Sequence, residues 1–303
     1  MSVPDFQSFF LPLLQYAADN QEHRPKEAYE AMAVHFQLSD ADSKEMLPSG
    51  KQTTFRNRMA WAKVYLTKAQ LLESPKRGIF HITKRGKELL AQKPETLRVK
   101  QLKQYPEFVA FHSSGAKKDT TDNSLNIDDN TSTPEEILEQ SYQNLRNDLA
   151  DELLSQIKDN SPEFFERLVV RLLVKIGYGG SIKDAGQAIG KSGDEGIDGI
   201  IKEDKLGLDV IYIQAKRWTG TVGRPDIQKF VGALHGQRAK KGVFITTGSF
   251  SKDAELYVST IDPKVVLIDG SRLVDLMIDH NLGVSTTDIY EIKKVDTDFF
   301  IED

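Results

Sequence analysis

The chain has 303 residues, a formal net charge of −5 and 28% charged residues, a size and composition that favour two globular domains. Its sequence contains no run near the roughly 18 consecutive apolar residues that a membrane helix needs. Zero cysteines exclude disulfides, thiolate metal sites and a cysteine nucleophile, and the six histidines show no metal-ligand spacing. Any metal site must therefore be built from oxygen ligands.

The amino end, "MSVPDFQSFFLPLLQY", lacks the basic leader of a secretory signal and carries an acid before its apolar patch. We therefore expect a cytoplasmic protein. Positive charge is concentrated locally: positions 51–93 hold eleven Lys or Arg and two Glu, and positions 216–241 hold seven Lys or Arg and one Asp. Such basic regions can bind phosphate on an acidic protein, although solvated helix faces would give the same pattern.

A polar stretch without aromatic residues, "KKDTTDNSLNIDDNTST", occupies positions 117–133 and is typical of a linker. The segment before it is mostly helical, whereas the segment after it alternates helices with short apolar strands. We divide the chain into a first domain at 1–95, a linker at 96–133 and an α/β domain at 134–303.

In the first domain, a helix is followed by "LLE", the basic turn "SPKRG", the short strand "IFHIT" and another helix, which is the order of a winged helix. Basic side chains would lie on the middle helix and at the wing tip, within reach of phosphates or base edges. The candidate DNA contacts here are Arg56, Arg58, Lys63, Lys76 and Arg77. A winged helix can equally serve protein contacts or dimerisation.

The second domain begins with Thr133-Pro134-Glu135-Glu136, which is a capping box. Its next helix starts at Ser161 and stops at Gly177, and its apolar residues recur at helical spacing. Glu166 lies beside that stripe. The later strands "VFIT" and "VVLI" are apolar throughout, as in a sheet covered by helices on both faces.

The strand "VIYIQAK" at 210–216 carries an amide and an ammonium at its end, and the pleat directs Gln214 and Lys216 to one face. A hairpin through "KEDKLGLD" would return the chain so that Asp198 lies beside them. Carboxylate and amide oxygens, with the carbonyl of Ala215, form a plausible Mg²⁺ shell for phosphodiester hydrolysis, and Glu166 could add a ligand. The alternative is an edge strand whose polar end is only solvated.

Five segments together resemble the Mrr family of type IV, modification-dependent restriction endonucleases, whose catalytic domain belongs to the PD-(D/E)xK nuclease superfamily. They are "GDEGIDG", "YIQAKRW", "VGRPDIQKFVGAL", "GVFITTGSFSKDA" and "VLIDGSRLVDLM", and the close similarity covers about 160–283. The first half is similar to the family's amino-terminal winged-helix domain. The resemblance implies an α/β fold with a restriction-endonuclease-like central mixed sheet flanked by helices.

By the same resemblance, Asp198 is the metal-binding aspartate, Lys216 is the catalytic lysine and Glu166 is the helix acid that joins the site. Gln214 stands where the superfamily usually has an acid. The implied activity is Mg²⁺-dependent hydrolysis of methylated double-stranded DNA. Because cutting both strands takes two active sites, a homo-oligomer is expected.

Two positions depart from the family pattern. Glu195 stands where glycine is expected, and Gln214 removes one negative charge from the metal site. These residues support an alternative, a non-cleaving reader of modified DNA with an inactive nuclease-like domain. A third possibility is a toxin-like nuclease held idle by its own assembly.

The segment "AGQAIGKSG" at 185–193 is one residue short of a phosphate-binding P-loop, so we interpret it as a loop beside the nuclease site. Lys191 in that loop and Arg217 after Lys216 complete the candidate DNA contacts.

Overall fold

The computed structural model describes residues 2–76, 78–113, 131–179, 197–204, 208–293 and 295. The chain divides into two compact units, Met1–Asn144 and Leu145–Asp303. Each unit has its own hydrophobic core.

Some helices of the first unit begin where a polar side chain caps a free N–H group. Ser39, Thr53 and Thr83 each accept a hydrogen bond from a backbone N–H of the turn that follows, and Pro25 occupies the first position of its helix. The helices are α1 (Phe10–Tyr16), α2 (Pro25–His35), α3 (Asp40–Lys44), α4 (Thr54–Lys68), α5 (Lys84–Ala91), α6 (Val99–Leu102) and α7 (Pro106–Ser113).

A small antiparallel sheet lies between α4 and α5. Strand β1 (Leu72–Glu73) pairs with β2 (His81–Ile82), with Leu72 opposite Ile82 and Glu73 opposite His81. The turn between them uses Gly78 at a positive φ of 72°, a conformation that favours glycine. Two helices enclosing a two-stranded wing form a winged helix, which confirms the fold predicted for the first half.

The first core is rich in aromatic side chains, including Phe9, Phe10 and Phe80, and it continues beyond residue 95. Leu97, Val99, Leu102 and Phe108 are buried in this same core. The first unit therefore extends past the boundary that the sequence analysis sets at residue 95. Positions 117–130 of the polar stretch proposed as a linker lie outside the described residues.

Helix α8 (Pro134–Asp159) begins in the first unit and ends in the second. The predicted capping box is present at its start: the N–H of Thr133 donates to Glu136 over 2.7 Å, and the N–H of Glu136 donates to Thr133 Oγ1 over 3.3 Å. Helix α9 (Pro162–Ile176) follows, with Ser161 as its N-cap. The predicted apolar stripe of α9 is buried, with only Ile176 partly exposed.

The second unit is built on a four-stranded mixed sheet in the order β3-β4-β6-β8. Strand β3 is antiparallel to β4, whereas β4, β6 and β8 are parallel. The strands of the unit are β3 (Gly199–Lys202), β4 (Val210–Lys216), β5 (Thr221–Val222), β6 (Lys241–Thr246), β7 (Ser249–Phe250) and β8 (Lys264–Ile268). Its later helices are α10 (Arg224–Gly236), α11 (Lys252–Ser259) and α12 (Gly270–Asp279).

Helices cover both faces of this sheet. One face packs against α9, α12 and the end of α8, and the other packs against α10 and α11. Residues 242–246 of the central strand β6 are all buried, as expected for a strand covered on both sides. The arrangement confirms the predicted mixed sheet flanked by helices. Within the described ranges, no helix is long and apolar enough to cross a membrane.

Candidate active site

The carboxyl end of β4 carries the polar side chains that the sequence analysis selected. Ile211, Ile213 and Ala215 pack on the core beneath α9, whereas Tyr212 packs on the opposite core. This alternation directs Gln214 and Lys216 to the face of Tyr212, and both remain partly exposed. The side chain of Gln214 makes no hydrogen bond with any residue that the structure describes, so its amide oxygen is available to a ligand.

Asp198 lies beside this strand end. Its N–H donates to the carbonyl of Ile213 over 2.8 Å, and its Oδ2 accepts from the N–H of Ala215 over 2.7 Å. Burial raises the pKa of the Asp198 carboxyl, while the Ala215 N–H and the positive charge of Lys216 act in the opposite direction. The structure thus brings Asp198 to the end of β4, where the hairpin was expected to return it.

Glu166 approaches the same place from α9, which packs on β3 and β4. Burial raises the pKa of the Glu166 carboxyl, and the negative charges of Asp198 and Glu163 raise it further. Two carboxylates that are close enough to repel each other and partly removed from water are stabilised by a shared cation. Glu166 and Asp198 therefore belong to one electrostatic site.

Lys216 is held by a residue that the sequence reasoning missed. Its Nζ donates to Oδ1 of Asp226 over 2.6 Å, and the same ammonium lies 3.5 Å from the centroid of the Trp218 ring. Asp226 stands in the first turn of α10. The available signal was its isolation as the single acid between positions 216 and 241.

The donor set suits a hard divalent cation. The carboxylates of Asp198 and Glu166, the amide oxygen of Gln214 and the carbonyl of Ala215 are all oxygen donors, the type that Mg²⁺ prefers. Among the residues described, no group of three or more Asp, Glu, His or Cys side chains is placed to hold a metal. A cation here would therefore rely on two acids, neutral oxygens and ligands from outside the chain.

Arg58 and Lys63, two of the basic residues proposed to contact DNA, are already engaged in the first unit. Arg58 is paired with Glu136 at 2.8 Å and donates to the carbonyls of Val3 and Pro4. Lys63 lies 5.6 Å from the Phe80 ring centroid, and burial lowers the pKa of its ammonium.

Arg56 and Lys76 remain exposed. Arg56 lies 5.9 Å from the ring centroid of Tyr29, and Lys76 is 3.5 Å from a carboxylate oxygen of Glu22.

Arg217 donates to the carbonyl of Lys158 near the end of α8. Arg77 and Lys191, with Glu195, fall outside the described residues. Arg58, Lys63 and Arg217 thus contact other parts of the protein, which a local count of charged residues did not predict.

Two family models match the chain. One, described as the Mrr N-terminal domain, matches residues 6–92, and the other, described as a restriction endonuclease, matches residues 157–277. A curated relative from Escherichia coli (strain K12), the type IV methyl-directed restriction enzyme EcoKMrr, is 37% identical over 311 residues, which is 99% of this chain and 100% of that protein. The chain belongs to the Mrr family of restriction endonucleases. The Mrr catalytic match includes Glu166, Asp198, Gln214, Lys216 and Asp226.

Two solved structures show partial likeness to this Mrr family member. The MspJI restriction endonuclease in complex with a 27-mer oligonucleotide is 21% identical, with a TM-score of 0.28 over 67% of this chain and 44% of the other. The DNA modification-dependent restriction endonuclease AspBHI is 16% identical, with a TM-score of 0.34 over 71% of this chain and 57% of the other. The chain thus spans less than two thirds of either structure.

Proposed function

We propose that this protein is a type IV restriction endonuclease that hydrolyses phosphodiester bonds of methylated double-stranded DNA with Mg²⁺ as its cofactor. Family membership supports the restriction endonuclease activity. The observation that carries the chemistry is the convergence of Asp198 and Glu166, two partly buried carboxylates of raised pKa, at the strand end that also bears Gln214 and Lys216.

In this proposal Asp198, Glu166 and Gln214 hold the metal. When bound, a divalent cation lowers the pKa of a water molecule and offsets the negative charge that grows on the phosphate. The hydrogen bond from the N–H of Ala215 fixes the orientation of the Asp198 carboxylate. Because Gln214 contributes no charge, DNA phosphate would supply part of the negative charge around the metal.

Lys216 provides the positive charge of the site. Its ammonium can donate a hydrogen bond to a phosphate oxygen or to the attacking water and can stabilise charge in the transition state. The electrostatic effect of Lys216 on Asp198 supports this assignment, because it requires the two groups to be near each other.

The first unit would bind the duplex through its winged helix, in which α4 occupies the position of a recognition helix. Arg56 and Lys76 are the exposed basic candidates, and we keep Arg77, Lys191 and Arg217 as proposed contacts. The enzyme would cut both strands as a homo-oligomer, since the described residues of one chain form one such site. We also propose that the protein is cytoplasmic, because its DNA substrate would be found there.

The competing function is a reader that binds methylated DNA without cutting it. Gln214, which weakens the metal site, and the ion pair that occupies Lys216 favour this second candidate.

The deciding experiment incubates methylated plasmid and Mg²⁺ with the wild type and with Lys216→Ala. The endonuclease proposal expects nicked and linear products from the wild type and a loss of at least about a hundredfold in the variant. Tight binding of methylated duplex without cleavage under any divalent metal would support the reader instead.

A further inference from the structure

The ammonium of Lys216 is enclosed by two groups that take no part in the proposed metal shell. Asp226 Oδ1 lies 2.6 Å from Nζ, and the centroid of the Trp218 ring lies 3.5 Å from it. The Lys216 and Asp226 side chains are each only 28% exposed, so the pair is partly removed from water. Electrostatic attraction is stronger in such surroundings than between fully solvated charges.

The position of Asp226 is fixed by the core of the second unit. Helix α10 begins with Gly223 as its N-cap and Pro225 in its first turn, which also contains Asp226. Directly after Asp226, Ile227 is completely buried, as is Phe230 one turn later. Asp226 therefore lies at the start of a helix whose following residues hold it in place by packing in the core.

The backbone is anchored at Lys216 and Trp218, on either side of Arg217, while Trp218 itself is 42% exposed. Thr246 Oγ1 donates to the carbonyl of Lys216 over 2.9 Å, and Thr247 Oγ1 donates to the carbonyl of Trp218 over 2.7 Å. These bonds tie the end of β4 to the end of β6. A lysine has a long flexible side chain, so contacts with the Asp226 carboxylate and the Trp218 ring reduce the number of positions that its ammonium can take.

We propose, on the basis of the endonuclease function above, that Asp226 is a positioning residue for DNA hydrolysis, which together with Trp218 holds the ammonium of Lys216 in one orientation at the end of β4. From that orientation the charge of Lys216 stabilises the carboxylate of Asp198. Asp226 acts through Lys216 and does not touch the phosphate. Preorganising the ammonium removes the cost of ordering it during the reaction.

The same ion pair would have the opposite effect if it were a lock that withholds Lys216 from DNA. A positioning residue and a lock differ in the sign of the effect on turnover. Loss of the Asp226 charge lowers kcat in the first case and raises kcat in the second.

The experiment measures kcat and KM for methylated plasmid cleavage in Mg²⁺ for the wild type, Asp226→Asn and Asp226→Glu. We expect Asp226→Asn to lower kcat by about tenfold or more while KM changes by less than about twofold, because the ammonium loses its anchor but the DNA contacts remain. Asp226→Glu restores the carboxylate and recovers most of the loss. Asp253→Asn removes a surface ion pair with Arg224, 3.5 Å long, and serves as the matched control with unchanged kinetics.

A second readout does not depend on cleavage. Acetylation of lysines with a water-soluble ester, followed by mass spectrometry, compares Lys216 with the exposed Lys229 of the same unit. We expect Lys216 to react slowly in the wild type and in Asp226→Glu, and several times faster in Asp226→Asn. Circular dichroism establishes that each variant is folded.

The outcomes separate the two proposals. If the wild type cleaves no DNA, the endonuclease function fails, and the labelling still decides whether Asp226 holds Lys216. If the wild type cleaves, an unchanged or higher kcat in Asp226→Asn overturns the positioning role. Equal labelling of Lys216 in the wild type and Asp226→Asn also overturns it.

Discussion

The N–H of Ala215 donates a hydrogen bond of 2.7 Å to Oδ2 of Asp198, and this bond joins the residue before β3 to the end of β4. The bond fixes the position of one carboxylate oxygen at the strand end. Burial of the same carboxyl group disfavours its negative charge and raises its pKa. Asp198 is therefore oriented to bind a cation. When no cation is bound, its surroundings oppose its ionisation.

Neutralising Asp198 should stabilise the metal-free protein. Burial in the folded state raises the pKa of Asp198 above its ordinary value of 3.8. The stabilising contribution of this group is therefore complete below pH 3.8 and is lost as the pH rises through the raised pKa of the folded state. Asp198→Asn keeps an oxygen for the Ala215 N–H and removes the charge. We expect a higher melting temperature than the wild type in EDTA, with a larger difference at pH 8 than at pH 5.

Added Mg²⁺ provides the control for that comparison. The cation should raise the melting temperature of the wild type much more than that of Asp198→Asn, since the variant lacks one of the two carboxylate ligands. A wild type that is more stable than Asp198→Asn in EDTA at pH 8 would show that the carboxylate is satisfied by the protein alone.

Glu166 should matter for cleavage, whereas Glu163 on the same helix should not. The pKa of Glu166 is raised by burial and by Asp198, but Glu163 is exposed and its pKa is lowered by hydrogen bonding at the helix start. We expect Glu166→Gln to reduce the cleavage rate by about tenfold or more at limiting Mg²⁺, and excess Mg²⁺ to recover part of that loss. Glu163→Gln is the matched control, and equal losses in the two variants would remove Glu166 from the metal site.

Arg58 should contribute mainly to the stability of the first unit. Its guanidinium pairs with Glu136, with exposures of 20% and 13%, and also binds the carbonyls of Val3 and Pro4. Arg58→Ala leaves the Glu136 carboxylate partly buried without its cation, which should cost about 2–4 kcal/mol in the free energy of unfolding. Urea titration followed by tryptophan fluorescence measures the loss, and a cost below about 0.5 kcal/mol would contradict it.

Arg56 should affect DNA binding with little effect on stability. It is exposed and lies on the same helix as Arg58, so Arg56→Ala makes a direct comparison with Arg58→Ala. We expect weaker binding of duplex DNA and a salt-dependence slope of log K that is smaller in magnitude by about 1, as for the loss of one phosphate contact. Fluorescence anisotropy at several salt concentrations tests this, and an unchanged slope would argue against a phosphate contact at Arg56.

Local patterns predicted much of the second unit. The apolar spacing of α9, its Ser161 cap and the alternation along β4 all follow from neighbouring residues, and the structure has each of them. The approach of Asp198 to the end of β4 was predictable because a hairpin and the strand pleat determine it. Asp198 and Ala215 meet through that hairpin.

Contacts between distant parts of the chain were not predictable in this way. Arg58 meets Glu136, 78 residues later, and a local count of charge favoured DNA as its partner. Leu97 and Val99 join the first core just before and at the start of a short helix whose sequence carries little periodic signal. Lys216 and Asp226 are ten residues apart, but only the start of α10 brings them together.

The most direct test of the metal site is the cleavage rate of methylated plasmid in Mg²⁺ for the wild type and Asp198→Asn, at enzyme concentrations that saturate the DNA. The wild type should nick and linearise the plasmid, while Asp198→Asn should bind the same DNA, remain folded and lose at least about a hundredfold in rate. Equal cleavage by the two proteins would contradict the assignment of Asp198 as a ligand of the catalytic cation.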